Sequence, residues 1–272
     1  MKSTRLIECG ISFGTAVVSY LLVGPIIYAF VFPYINNALI SYSALFIPSV
    51  FTLLALLLLK KKSLFLDFLG PKGKRFSPSL FLLFFSSSFL ILSLTSIIEG
   101  ASINPASLSL KLTSLIISLI FIPIQIGVEE YIFRILPYKA IDEERMERKS
   151  TWVLLSFLSG LLFTIPHLLN KEVWVEGGGW AVLHYFLWGA MVMAGAVYTK
   201  GFEFPLAMHL SNNLVVAIVA NYRSSSLPSI SFFILENETS SPKAILTFIL
   251  LFALELFLFY ALNRRRHIEN KD

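Results

Sequence analysis

Two adjacent carboxylates, Glu129 and Glu130, end a long apolar stretch and are followed four residues later by Arg134. Ionisable side chains inside a bilayer cost roughly 2.5–3.5 kcal/mol each on insertion scales, so they are seldom present without a use. Glu130 and Arg134 share a helical face, and their charges would offset part of that cost. Glu129 points about 100° away and could act as a general base. A packing ion pair with one spare acid explains these residues equally well.

Two histidines and an amide follow on later apolar segments. His167 lies one helical turn after Phe163, which could stack under the imidazole. His209 and Asn213 are four residues apart, so both project to the same side and could stabilise an oxyanion. Each also has a structural explanation, as a core histidine or as hydrogen bonding between helices. His184 has no patterned neighbour and is interpreted as a core residue.

Considered together, these polar groups predict one shared interior cavity. One carboxylate and one histidine can hold and deprotonate a water molecule. His209 and Asn213 would receive the charge that develops on a carbonyl oxygen. The combination predicts a hydrolase that acts without a covalent intermediate.

The composition indicates a membrane-embedded chain. Hydrophobic residues make up 56% of the sequence, charged residues make up 14%, and the mean hydropathy is +0.75. Soluble domains have about 45–50% apolar and about 25% charged residues. The formal net charge of +5 does not indicate nucleic-acid binding, because the basic residues cluster at helix ends. The single cysteine, Cys9, excludes an internal disulfide framework and argues against a cysteine nucleophile.

A membrane span needs about 20 apolar residues, and the apolar pattern predicts about eight of them. We therefore expect an all-α, polytopic helical bundle that forms a single embedded domain over residues 1–272, with the catalytic helices within 109–222. The first segment is interpreted as a retained helix, because its apolar run is too long for a signal peptide. The predicted helices are 6–32, 38–59, 78–98, 109–138, 151–169, 180–199, 204–222 and 243–262.

The distribution of basic residues predicts the orientation of these helices. With both termini in the cytoplasm, Lys111, Lys171, Arg223 and Lys243 lie outside, Arg134 lies within a helix, and every other lysine and arginine lies inside. The linker 60–76 is predicted to be an interfacial segment on the cytoplasmic face. A prokaryotic host would place the chain in the plasma membrane, and a eukaryotic host would place it in the endoplasmic reticulum.

The order of the motifs resembles a known family. EExxxR over 129–134, FxxxH over 163–167 and HxxxN over 209–213 are similar to the motifs of the CAAX prenyl protease and bacteriocin-processing family of intramembrane glutamic endopeptidases. The resemblance implies that Glu129 is the general base, that His167 binds the attacking water, and that His209 and Asn213 form the oxyanion site. Glu130 and Arg134 would support them, and Phe163 belongs to the second motif.

In the prenyl-protease branch of that family, the substrate is a lipidated polypeptide with a C-terminal CAAX sequence. Other branches process peptides or are associated with bacteriocin immunity, and nothing in this sequence chooses among them. We expect a lipidated or membrane-associated peptide, reached through a cytosol-facing cavity, and no cofactor. Counting residues along the predicted helices places His167 about 15–20 Å from the membrane depth of Glu129 and His209. Such a separation is difficult to reconcile with one shared cavity.

Several alternatives stay open at this point. Two histidines and a carboxylate could bind zinc, although the chain has no HExxH helix. Ser211 follows His209 closely, but no acidic residue that would complete a serine protease is near in sequence. The buried polar groups could instead assemble a non-catalytic scaffold or an immunity protein. A proton-coupled transporter is a further possibility, but no matching halves are visible.

Overall fold

The structure, a computed structural model, describes residues 2–30, 37–60, 76–175, 178–236 and 241–269. Most of the predicted interfacial linker lies outside the described residues.

Helices form most of the described chain. In chain order they are α1 Lys2–Phe30, α2 Ala38–Ala44, α3 Ile47–Lys60, α4 Pro78–Ile98, α5 Leu108–Glu130, α6 Leu136–Ala140, α7 Glu143–Met146, α8 Lys149–His167, α9 Lys171–Val175, α10 Gly179–Thr199, α11 Glu203–Leu214 and α12 Pro242–Glu269. Two wider π-helical turns interrupt this pattern. Tyr131–Ile135 joins α5 to α6, and Val215–Val219 extends α11.

Six helical stretches in the described chain are long and apolar enough to cross a membrane. They are Ala38–Lys60, Pro78–Ile98, Leu108–Ala140, Lys149–His167, Gly179–Thr199 and Pro242–Leu262. The helix over Glu203–Val219 is apolar but shorter. Large apolar side chains such as Leu58, Leu90 and Phe257 point outward, as expected where lipid replaces water. The prediction of an all-α polytopic protein therefore fits, whereas the count of eight spans stays a prediction.

Two predicted helices have different bounds in the structure. The helix predicted over 38–59 divides into α2 and α3, because Pro48 lacks the N–H that would bond back to Ala44. The helix predicted over 204–222 ends early, in a run of mostly β-branched residues that favours extended backbone. Residues Ala220–Tyr222 form a strand instead.

A small sheet gathers three connections at one end of the bundle. Strand β1 (Ser102–Ile103) pairs antiparallel with β3 (Phe233–Leu235), which pairs parallel with β2 (Ala220–Tyr222). The segment between α8 and α10 reaches the same place, because the Lys171 amide donates to Ser226 Oγ at 2.6 Å. We call residues 99–107, 168–175 and 220–236 the sheet end.

The opposite end holds the beginning of α4, the end of α6 and the beginning of α11. The Ser77 amide donates to Glu203 Oε1 at 2.7 Å, which ties α4 to α11. The rings of Tyr138 and Phe202 meet edge to face with centroids 5.4 Å apart, which ties α6 to the same place. We call residues 76–77, 139–149 and 200–203 the basic end.

Helices α8 and α10 pack closely because a glycine allows it. A Cβ atom added to Gly189 would lie 2.8 Å from Phe163 Cβ, 2.8 Å from Ser159 O and 2.9 Å from Gly160 Cα. Small residues at such contacts let membrane helices approach. The approach matters for function, since α8 carries His167 at its last position.

We expect Gly189→Ala to destabilise the protein by about 1–3 kcal/mol, because the added methyl group must push α8 away from α10. The unfolding midpoint in detergent measures this change. Gly179→Ala is the matched control in the same helix, where an added Cβ has no neighbour within 4 Å. Equal stability of the two variants would contradict the prediction.

Candidate active site

One cavity of about 780 Å³ brings the predicted site residues together. Glu129, His167, His209 and Asn213 all line it. Because α6 ends at Ala140, Glu129 lies about 16 Å from that end of its helix. The sequence predicts a difference in membrane depth between His167 and Glu129. That difference does not place the two side chains in different compartments, because both line the same cavity.

Glu129 is held by two helices and keeps one oxygen for other partners. Its carboxylate is buried, and Oε1 accepts hydrogen bonds from Tyr20 Oη at 2.9 Å and Gln125 Nε2 at 2.8 Å. Its Oε2 lies 3.7 Å from His209 Nε2, longer than a direct hydrogen bond. Oε2 is therefore the oxygen that can accept a proton from a water molecule.

Glu130 connects an arginine to a histidine. Its Oε1 accepts from Arg134 Nη1 at 2.9 Å and lies 2.7 Å from His209 Nδ1. An ionised carboxylate can only accept hydrogen bonds, so Nδ1 of His209 carries the proton. The Arg134 guanidinium also lies over the ring of Phe163, 4.3 Å from its centroid. The π-helical turn after Glu130 fits the tendency of such turns to occur at functional sites.

Three polar atoms of this ion pair are unused. Glu130 Oε2 and the Nε and Nη2 atoms of Arg134 are buried without a hydrogen-bond partner among the described residues. Buried polar groups are usually paired with protein or water. The two buried charges are therefore stabilised by few hydrogen bonds, and the loss of any one of these bonds should lower stability.

His167 presents a basic nitrogen to the cavity. Its Nδ1 lies 2.6 Å from the carbonyl oxygen of Phe163. A carbonyl oxygen can only accept, so Nδ1 carries the proton and Nε2 of the neutral ring keeps a lone pair. The imidazole lies between the rings of Phe163 and Tyr185, with centroids 4.2 Å and 4.5 Å away. Stacking on both faces restricts the ring to one orientation.

Asn213 has a donor group to spare. Its Oδ1 accepts from Asn212 Nδ2 at 3.1 Å, so the amide NH₂ of Asn213 is its remaining polar group. Both asparagines line the cavity beside His209. This places amide and imidazole donors on the same wall.

The sequence reasoning missed several residues of this cavity. Tyr20, Gln125, Tyr185 and Trp188 all line it, and so does His184, which was interpreted as a core residue. The four-residue spacing between Gln125 and Glu129 could have indicated their contact. The indole Nε1 of Trp188 is buried without a hydrogen-bond partner among the described residues.

One alternative chemistry, that of a serine protease, has little structural support. Ser211 is buried, donates its hydroxyl to the Met208 carbonyl at 2.9 Å, and is not among the residues that line the cavity. Within the described ranges, no group of three or more His, Cys, Asp or Glu residues is arranged to hold a metal ion.

The long apolar helices define an integral membrane protein, and its interior cavity contains acids, histidines and amides. Residues 109–215 match the family model described as "Type II CAAX prenyl endopeptidase Rce1-like". This match supports the family that was predicted from the three motifs, all of which lie in the matched segment. Since this is a family of proteases, the match supports a hydrolase. No curated protein and no solved structure matches the chain.

Proposed function

We propose that this protein is an intramembrane glutamic-type endopeptidase that cuts a peptide bond in a membrane-bound or prenylated polypeptide. The observation that supports the proposal best is the shared cavity of Glu129, His167, His209 and Asn213. The family match over residues 109–215 supports it independently.

The attacking water would be held by two acceptors. Glu129 Oε2 and His167 Nε2 each have a free lone pair, so the water donates one hydrogen to each and directs its own lone pairs at the scissile carbonyl. As the C–O bond forms, one proton passes to Glu129 and the carbonyl π electrons move to the oxygen. The product is a tetrahedral intermediate with one negative charge.

That negative charge would be stabilised by His209 and Asn213. Because Glu130 accepts the proton of Nδ1, an Nε2–H donor requires His209 in its doubly protonated form. The charge moves from Glu129 to the substrate oxygen while the positive charge of His209 stays between them. Donors that are already oriented stabilise such charge without reorganisation.

Collapse of the intermediate would complete the reaction. The carbonyl reforms, the C–N bond breaks, and the protonated Glu129 gives its proton to the leaving nitrogen. The carboxylate is then regenerated, so water is the only reagent consumed. We propose that no metal or other cofactor takes part.

The test is cleavage by the full-length protein reconstituted in lipid vesicles. A panel of lipidated and unlipidated membrane peptides is incubated with the protein, and each cut is located by mass spectrometry with and without a chelator. Cleavage that persists in chelator supports a glutamate-activated water. Loss of cleavage in chelator favours zinc, and the absence of any cut by correctly folded protein contradicts the proposal.

A non-catalytic scaffold or immunity protein of the same fold is the second candidate. The observation that favours it is the use of both acids in bonds between helices, from Glu129 to Tyr20 of α1 and from Glu130 to His209 of α11. Such bonds hold membrane helices together whether or not chemistry occurs. Under this alternative, His209→Ala lowers stability in detergent and no peptide is cut by either form.

The charge of the cavity bears on the substrate. Its described lining contains the carboxylates Glu99, Glu129 and Glu172, and no lysine or arginine. Glu99 is paired with Lys243 at 3.1 Å, and the proposed positive charge of His209 lies beside Glu129, so the remaining negative charge is that of Glu172. A free C-terminal carboxylate close to the scissile bond would meet that negative charge. Two like charges about 10 Å apart repel by about 1.7 kcal/mol at an effective dielectric constant of about 20.

We therefore expect a peptide cut three residues from its end to be cleaved about tenfold faster as the C-terminal amide than as the free acid. Paired peptides that differ only in this group measure the effect as a ratio of kcat/KM. A second pair, with a long polar extension after the cut, should show equal rates. Faster cleavage of the free acid would mean that the cavity recognises the terminal carboxylate.

A further inference from the structure

We propose that Glu172 forms a subsite for a positively charged side chain, a lysine or an arginine of the bound peptide. Glu172 lies at the sheet end, in the short helix α9, and lines the same cavity as Glu129 and His167. That the ligand is a peptide substrate rests on the function proposed above. The chemistry of the subsite follows from the charges and hydrogen bonds around Glu172.

Glu172 is a buried carboxylate without a counter-ion. The residue is 7% exposed and lines the cavity. No lysine or arginine among the described residues forms an ion pair with it. Buried charges are usually paired, because the loss of hydration costs free energy. A ligand in the cavity can supply the positive charge that the protein does not.

The basic residues of the neighbouring connections have other partners. Lys171 Nζ donates to the carbonyl oxygen of Arg223 at 3.3 Å, and Arg223 Nε lies 2.6 Å from Glu236 Oε2. Both basic residues are exposed at the surface, whereas Glu172 is buried against the cavity. The protein therefore has two cations in the same connections and uses neither to neutralise Glu172.

Neutral groups hold this carboxylate in place and leave it room for a ligand. Tyr185 Oη donates to Glu172 Oε1 at 3.3 Å, and Ser226 Oγ donates to Oε2. An ionised carboxylate has about four acceptor sites, so about two stay open. Asn170 lines the cavity beside Tyr185, and its Oδ1 accepts no hydrogen bond within the described chain. Such acceptors suit an ammonium or a guanidinium group, since both groups only donate.

The subsite is close to the proposed reaction centre. Tyr185, whose hydroxyl contacts Glu172, also stacks on the imidazole of His167 with ring centroids 4.5 Å apart. One tyrosine side chain therefore separates Glu172 from the histidine that would bind the water. Extended peptide rises about 3.3 Å per residue, so a basic residue within about three positions of the scissile bond would reach Glu172.

The other acids of the cavity are not equivalent to Glu172. Glu99 Oε1 lies 3.1 Å from Lys243 Nζ, so its charge is already compensated. The proposed positive charge of His209 lies beside Glu129. Glu99 consequently provides a matched control, because Glu99→Gln removes a carboxylate from the same lining without opening or closing the subsite.

Equilibrium binding of paired membrane peptides tests the subsite without any need for cleavage. Each peptide carries one lysine at a different position along its sequence, and its partner carries norleucine there, which has the same aliphatic chain without the ammonium group. The protein carries Asn213→Ala, which slows the proposed reaction and leaves every charge of the cavity in place. Phosphatidylcholine nanodiscs hold the protein, so no lipid offers a primary amine that would compete.

We expect at least one lysine peptide to bind about tenfold tighter than its norleucine partner, because close charge pairs in desolvated sites contribute to affinity. Glu172→Gln keeps groups that can bond to Tyr185 and Ser226, and it should reduce this ratio to below about twofold. Glu172→Asp keeps the charge and should retain part of the preference. Glu99→Gln should leave the ratio unchanged.

Equal affinities within every pair overturn the assignment, and so does a failure of every lysine peptide to bind. An equal loss of preference in Glu172→Gln and Glu99→Gln also overturns it, since the general charge of the cavity would then be responsible. The peptide pairs need no variant of Glu172, so they decide the question even if Glu172→Gln does not fold. Cleavage without a lysine preference contradicts only the subsite, and a lysine preference without cleavage contradicts only the endopeptidase.

Discussion

Glu129→Gln should reduce peptide cleavage about a thousandfold or more. General bases contribute roughly 10²–10⁴-fold to catalysis, and a neutral amide cannot take the proton of the attacking water. The glutamine side chain has almost the same shape, and its carbonyl oxygen can still accept from Tyr20 and Gln125. The fold should therefore survive. The measurement is kcat on a cleaved peptide, together with the unfolding midpoint of both proteins in detergent.

Tyr20→Phe is the matched control for this prediction. It removes one hydrogen bond to Glu129 and leaves the carboxylate in place. A hydrogen bond to a charged group contributes about 1.5–3 kcal/mol, so we expect a loss of about a hundredfold or less, smaller than that of Glu129→Gln. Undiminished turnover by Glu129→Gln would remove Glu129 from the mechanism. A similar loss of cleavage in both variants would indicate that the position of α5 matters more for activity than the carboxylate of Glu129.

Arg134→Met should destabilise the protein by about 3–5 kcal/mol, the largest expected effect on stability. Removal of one member of a buried ion pair leaves the other charge without compensation. Here the remaining charge would be Glu130, which is fully buried and has only His209 as its other hydrogen-bond partner among the described residues. The unfolding midpoint in detergent and the yield of folded protein report the loss.

The double variant Arg134→Met with Glu130→Gln separates charge from packing. When both charges are absent, much of the lost stability should return, because buried ion pairs are often replaceable by neutral groups. Cleavage should not return, since His209 loses its charged partner. If the double variant is no more stable than Arg134→Met, the packing of the guanidinium on Phe163 matters more than its charge.

Local spacing explains what the sequence could predict. Residues four apart share a helical face, and the structure has the expected contacts between Glu130 and Arg134 and between Phe163 and His167. Apolar length predicted most of the long helices for the same reason, since it is a property of consecutive residues. The catalytic roles of these residues stay predictions until activity is measured.

Contacts between distant segments were beyond this reasoning. Tyr20 lies 109 residues from Glu129, and no periodicity in either helix indicates that they touch. Strands of two or three residues are too short to produce an alternating pattern, so the small sheet left no signal. Without that sheet, the sequence could not indicate which ends of the helices the cavity joins.

Glu130 uses one oxygen atom for two tasks, since Oε1 binds both Arg134 and His209. The same atom therefore takes part in holding the bundle together and in aiming the imidazole. A form of the protein that captures intact substrate for structure determination should consequently leave this acid untouched. Asn213 is a better position for such an inactive trap, because its only hydrogen bond described within the chain is to the neighbouring Asn212.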